Sequence, residues 1–99
     1  MTINKTIDNG AITLAVEGKL DSITSPKLQD ALLPLFGEAE RVILDFTQVE
    51  YVASAGLRVL IIGHESACAK GASMTLKGVS ELVMEVFEMT GFAEFLTIE

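Results

Sequence analysis

Val42-Ile43-Leu44-Asp45-Phe46-Thr47-Gln48-Val49-Glu50-Tyr51-Val52-Ala53-Ser54-Ala55-Gly56-Leu57-Arg58-Val59-Leu60 is the stretch on which the reading of this chain turns. Val42-Ile43-Leu44 is a continuous apolar run closed by Asp45, the pattern of a central, well-covered strand. Beyond Asp45 a loop is expected to cross the end of that strand. A helix then starts near Ser54 and carries Leu57, Leu60, Ile61 and Cys68 along one side. Ser54 stands at the junction and has two readings. As an N-cap, its hydroxyl would accept a backbone N–H of the first helical turn. Flanked by the small residues Ala53, Ala55 and Gly56, it would instead stand unshielded, open to a partner's catalytic cleft.

Upstream, Ile3 and Ile7, then Ile12, Leu14 and Val16, recur at even spacing, the two-residue period of strands with one buried face. Asp8-Asn9-Gly10 lies between them, and an Asn-Gly pair tolerates the positive φ angles of a tight hairpin turn. An antiparallel hairpin therefore opens the chain. Ser25-Pro26 is expected to start the first helix, with Ser25 as N-cap and proline at the first helical position. Leu28, Ala31, Leu32, Leu35 and Phe36 form its apolar stripe, and Pro34 is expected to kink or close its last turn before Gly37.

Downstream, Met74 and Leu76 alternate with Ser73, Thr75 and Lys77 in another strand. A third helix places Val79, Leu82, Val83, Val86 and Phe87 on one face and stops at Gly91. Residues 95–98 add a short closing strand. Alternating strands and helices imply right-handed parallel crossovers. The expected fold is α/β: a mixed, mostly parallel sheet opened by the hairpin, with helices packed on one face only. All 99 residues read as one domain, since nothing resembles a linker, repeat or low-complexity tract.

The formal net charge is −7, from 14 acidic and 7 scattered basic residues. Nucleic-acid affinity rests largely on neutralising phosphates, so direct DNA or RNA binding is not expected. An anionic membrane surface is disfavoured by the same sign. No apolar stretch approaches the roughly 20 residues that span a bilayer, and no signal-peptide pattern opens the chain, so the cytosol is the expected compartment. Cys68, the single cysteine, reads as a buried, inert thiol.

The sequence offers little for catalysis. His64 is the only histidine, and its spacing puts it on or beside the apolar stripe of the second helix, as a packed or half-exposed residue. Cysteine and histidine are too few for a zinc site, and no Gly-rich loop with lysine could cradle a phosphate. No metal, no cofactor and no enzymatic activity are expected. Asp45 and Lys77, each at a strand end, leave open a receiver-like domain phosphorylated on aspartate. The opening hairpin, the short length and the missing acidic pair argue against it.

The stretch around Ser54 resembles the signature of STAS domains, and in particular of bacterial anti-sigma factor antagonists: a serine, then serine or alanine, then glycine and an aliphatic residue. Val16-Glu17-Gly18-Lys19-Leu20-Asp21, followed by Pro26 and Leu28, is similar to the family's second element, Gly-x-Leu-Asp ahead of a helix-opening proline. The resemblance implies that Ser54 is the phosphorylated serine and that Asp21 is the aspartate lying near it. It also implies a partner-binding face made of Asp21, Ser22, Ile23, Thr24, Ala53, Ala55, Gly56, Leu57 and Arg58. The implied partner is an anti-sigma factor that is also a serine-protein kinase, captured while Ser54 is unphosphorylated so that a sigma factor goes free, with a phosphatase to reset the switch. Ala53 departs from the pattern, since the family commonly has aspartate there. That departure leaves open a STAS module acting as scaffold, small-ligand binder or transport-complex subunit, without serine phosphorylation.

Overall fold

A computed structural model describes residues 1–99. Strand β1 (Thr2–Asp8) and strand β2 (Ala11–Leu20) form the expected hairpin, and its turn uses Asn9 and Gly10 at φ 50° and 79°. Helix α1 (Ser25–Leu32) runs into a 3-10 turn, Leu33–Gly37, with Pro34 in its opening turn. Strand β3 (Arg41–Val52), helix α2 (Ser54–Ala69), strand β4 (Ser73–Lys77), helix α3 (Glu81–Thr90) and strand β5 (Thr97–Ile98) follow. The sheet order is β1-β2-β3-β4-β5, antiparallel in the first pair and parallel in the rest.

The register explains why helices cover one face only. Ile12, Val42 and Met74 lie side by side across β2, β3 and β4, and Leu14, Leu44 and Leu76 form the next row. All six are buried. One residue along, the row pointing to the opposite face is Thr6, Thr13, Ile43, Thr75 and Thr97, mostly threonine and never fully buried. Each apolar side chain in the covered rows contributes about 1.5–3 kcal/mol by leaving water, whereas the threonine row gains little by being covered. Leu28 and Leu32 of α1, Val59 and Leu60 of α2, and Val83 and Phe87 of α3 complete the core.

Strand β3 runs seven residues past Asp45, where a loop was expected. Opposite β2, its register slips twice: Ala15 pairs with Asp45 but Glu17 with Gln48, and Gly18 pairs with Val49 but Lys19 with Tyr51. Each slip is a bulge that adds one residue to β3. The buried residues of its second half, Phe46, Val49 and Val52, are therefore three apart instead of two.

Four further expectations are corrected. Helix α1 begins at Ser25 with Thr24 at the N-cap position, so Ser25 is inside the helix and caps nothing. Ile7 is exposed, because β1 is an edge strand with little above it. On α2 the buried residues are Gly56, Val59, Leu60, Gly63 and Ala67, while Ile61 and Cys68 are exposed. On α3, Leu82 is 57% exposed and Val79 precedes the helix, which Ser80 caps through its hydroxyl to the Val83 amide.

Candidate functional site

The site lies where the ends of β2 and β3 meet. The Ala53 amide donates to the Leu20 carbonyl at 2.8 Å, which fixes the start of α2 beside the loop leaving β2. Gly56 makes the approach close: a Cβ there would stand 2.9 Å from both Leu20 Cβ and Val52 Cγ1. Only a residue without a side chain lets the first turn of α2 sit this deep.

Ala53 is the N-cap residue of α2, in extended backbone, and its methyl group cannot accept a hydrogen bond. Ser54 is therefore the first helical residue and not the cap. Its side chain is exposed and makes no hydrogen bond within the protein. The N-cap reading of Ser54 is thus set aside, and its hydroxyl stands exposed. Leu57 is the first residue whose amide bonds into the helix, to the Ala53 carbonyl at 3.0 Å. The amides before it form an uncapped, electropositive helix end.

The loop after β2 is held by Asp21. Its Oδ1 accepts from the Ile23 amide at 2.9 Å and the Thr24 amide at 3.0 Å. The Thr24 hydroxyl accepts from the Asp21 amide and donates to the Lys19 carbonyl at 2.6 Å. These bonds to the charged carboxylate, first from Thr24 and then from Ile23, hold Asp21 below the usual aspartate range. The carboxylate is thus committed to its own loop, which presents Ser22 and Ile23 to solvent; Ile23 is 75% exposed.

Between this loop and α2 opens a cleft of about 400 Å³. Ser22, Ser25, Pro26, Gln29 and Asp30 form one wall, and Ser54, Ala55, Arg58 and Val59 form the other. The structure thus brings Ser22, Ser54, Ala55 and Arg58 of the expected face to one cleft, with Asp21, Ile23 and Thr24 in the loop at its rim. Ala53 and Leu57 are half-buried, and Gly56 is buried, so its part is packing. The far wall was not legible in the sequence as part of a site: Gln29 and Asp30 carry no motif, and Ser25 reads only as a helix cap. Gln29 and Asp30 lie off the buried Leu28–Leu32 stripe of α1, while Ser25 lies on it.

Elsewhere, His64 is half-buried and packs edge-on against Phe95, with ring centroids 5.3 Å apart, and its Nε2 is 3.9 Å from Cys68 Sγ. Midway along β3, Asp45 Oδ1 accepts from the hydroxyl and amide of Thr47, which lowers its pKa, with Lys77 adding a smaller attraction. Asp45 thus braces the backbone of the first bulge. No group of three or more histidine, cysteine, aspartate or glutamate side chains is placed to hold a metal ion. No helix is long and apolar enough to cross a membrane.

A family model described as "Mlab, STAS domain" matches residues 3–98. The anti-sigma-B factor antagonist of Listeria monocytogenes is 31% identical over 94 residues, an alignment covering 93% of this chain and 82% of that protein. Among solved structures, a putative anti-sigma factor antagonist from Thermotoga maritima superposes with a TM-score of 0.89 at 18% identity, over 97% of this chain and 84% of that one. The unphosphorylated form of the anti-sigma factor antagonist SpoIIAA superposes at 0.77 with 13% identity, over 99% and 87%. The phosphorylated form of SpoIIAA, a Bacillus cell fate determinant, superposes at 0.76 with 14% identity, over 99% and 91%. With its hairpin-led sheet, its one-sided helices and a family match from the third residue to the penultimate one, this chain belongs to the STAS domain family.

Proposed function

We propose that this chain is an anti-sigma factor antagonist. Its unphosphorylated form binds an anti-sigma factor that is also a serine kinase, and so releases a sigma factor; phosphorylation of Ser54 ends the interaction, and a phosphatase restores it. The observation that carries this reading is the Ser54 hydroxyl, exposed and without a hydrogen-bond partner at the first position of α2. The likeness to antagonists over nearly the whole chain supports it. In the phosphorylation step, the Ser54 oxygen would attack the γ-phosphorus of ATP held by the kinase. ADP leaves, and the hydroxyl proton passes to a base of the kinase. This chain supplies the acceptor and no catalytic group.

The effect of the phosphate follows from its charge. A phosphoserine carries about −1.5 to −2 charges at neutral pH. The positive end of α2 tolerates such a group, so the fold survives it. The complex does not, because small residues packed against a partner would have to desolvate a dianion. A loss of about 1.4 kcal/mol already lowers affinity tenfold.

Ala53 favours keeping a second reading, a STAS module serving as scaffold, small-ligand binder or transport-complex subunit, because the aspartate common in the family at this place is missing. Incubation with the cognate kinase and ATP, followed by mass spectrometry of peptides, separates the two. The switch predicts one acid-stable phosphoryl group on Ser54 and none on the Ser54→Ala protein. No transfer, or transfer to another residue, contradicts it.

A further inference from the structure

The two walls of the cleft beside Ser54 hold polar groups that lack partners. Ser25 is 2% exposed, and its Oγ is the one buried side-chain oxygen or nitrogen without a hydrogen bond. Buried hydroxyls are nearly always satisfied, so an orphan that lines a cleft points to something the cleft receives. Ser25 lines the cleft from α1, and its hydroxyl has no partner within the protein to hold it. Across the cleft, the first turn of α2 has no capping side chain. Arg58 lines the same cleft four residues after Ser54, a spacing that puts both on one helix face. It forms no ion pair; the only salt bridge of the chain joins Lys5 and Glu38.

We propose that this cleft is the receptor for the phosphoryl group carried on Ser54, with the Arg58 guanidinium and the uncapped amides of α2 gripping its oxygens and Ser25 donating from the facing helix. The inference rests on the reading of Ser54 as the phosphoacceptor. Guanidinium groups bind phosphate through two parallel hydrogen bonds, and a tether one helical turn long makes the encounter intramolecular. Asp30 is the one anionic residue on the walls and opposes the phosphate, so the balance rests on Arg58 and the helix end. Phosphorylation then changes the binding face in two ways. It adds negative charge at Ser54, and it takes from the partner an arginine that the unphosphorylated form leaves free.

The test needs no kinase: phosphoserine is placed at position 54 by genetic encoding, and its phosphorus resonance is followed against pH. A free phosphoserine loses its last proton near pH 6. In the parent protein the midpoint is expected lower by about half a pH unit or more, since a neighbouring cation favours the dianion. Arg58→Gln is expected to return it toward 6, and Ser25→Ala to return part of the shift. Arg58 is exposed, so its replacement leaves the core intact. Equal midpoints in the parent and Arg58→Gln proteins overturn the receptor. A phosphate that titrates as free phosphoserine yet still abolishes capture of the anti-sigma kinase removes the receptor and leaves the switch standing. A lowered midpoint that Arg58→Gln raises, in a protein whose capture ignores the phosphate, supports the receptor and removes the switch.

Discussion

Ala53 and Ser54 divide two tasks that one residue pair often shares. The cap position holds a methyl group that caps nothing, and the hydroxyl one place later points to solvent with no structural duty. Ala53→Asp is therefore expected to stabilise the fold, by about 1 kcal/mol, by giving α2 the acceptor it lacks. Urea denaturation of the two proteins checks this, and an unchanged midpoint would mean the helix end is already satisfied. Asp21 governs the neighbouring loop through its charge. Its folded-state pKa lies below the unfolded one, so its contribution to stability is complete above about pH 4 and is lost as the pH falls through the lowered value. Acid titration followed through the Ile23 and Thr24 amide resonances should show the loop loosening in that range and unchanged from pH 5 to 8. At this scale the sequence told much. Ser54 and Asp21 were legible from their motifs, whereas the orphan hydroxyl of Ser25 was not, because the sequence reads Ser25 as the N-cap and the structure gives that place to Thr24.

Each element carries its own reason for being read well or badly. The hairpin and β4 follow a plain two-residue period, and their boundaries follow from it. The second half of β3 hides because two bulges stretch its period from two residues to three, so Phe46, Val49 and Val52 do not look like a strand. On α2 the buried line runs through Gly56, Gly63 and Ala67. A search for large apolar residues picks Ile61 and Cys68 instead, because close approach here is achieved by the absence of side chains. Gly56→Ala tests this. Helix propensity alone predicts a gain of about 1 kcal/mol. The contact with Leu20 Cβ, which no side-chain rotation relieves, predicts a loss of about 1–3 kcal/mol. A stabilised variant would show that α2 can lift away from β2 freely. On α3, Phe87→Ala should cost about 3–5 kcal/mol and Leu82→Ala less than about 0.5 kcal/mol, although both were expected on the buried face. Thermal denaturation of the pair discriminates.

At the scale of the whole molecule, strand–helix alternation and a leading hairpin were enough to give the layer, its mixed sheet and the single covered face. The threonine row across the open face explains why no second helical layer forms. The cleft was not legible as a cavity, because it exists only where α1 and α2 meet. The acidic surface, with a net charge of −7, suits a partner with a basic patch and makes added charge at one point a modest change globally. Under the proposed switch, the effect of a phosphate on Ser54 is therefore local, at the junction of β3 and α2. Titration of the cognate anti-sigma kinase with the Ser54→Asp and Ser54→Ala proteins measures that most directly. The account predicts at least about tenfold weaker binding for Ser54→Asp, undiminished binding for Ser54→Ala, and nearly equal melting temperatures for both. Equal affinity of the two variants for the kinase would contradict it.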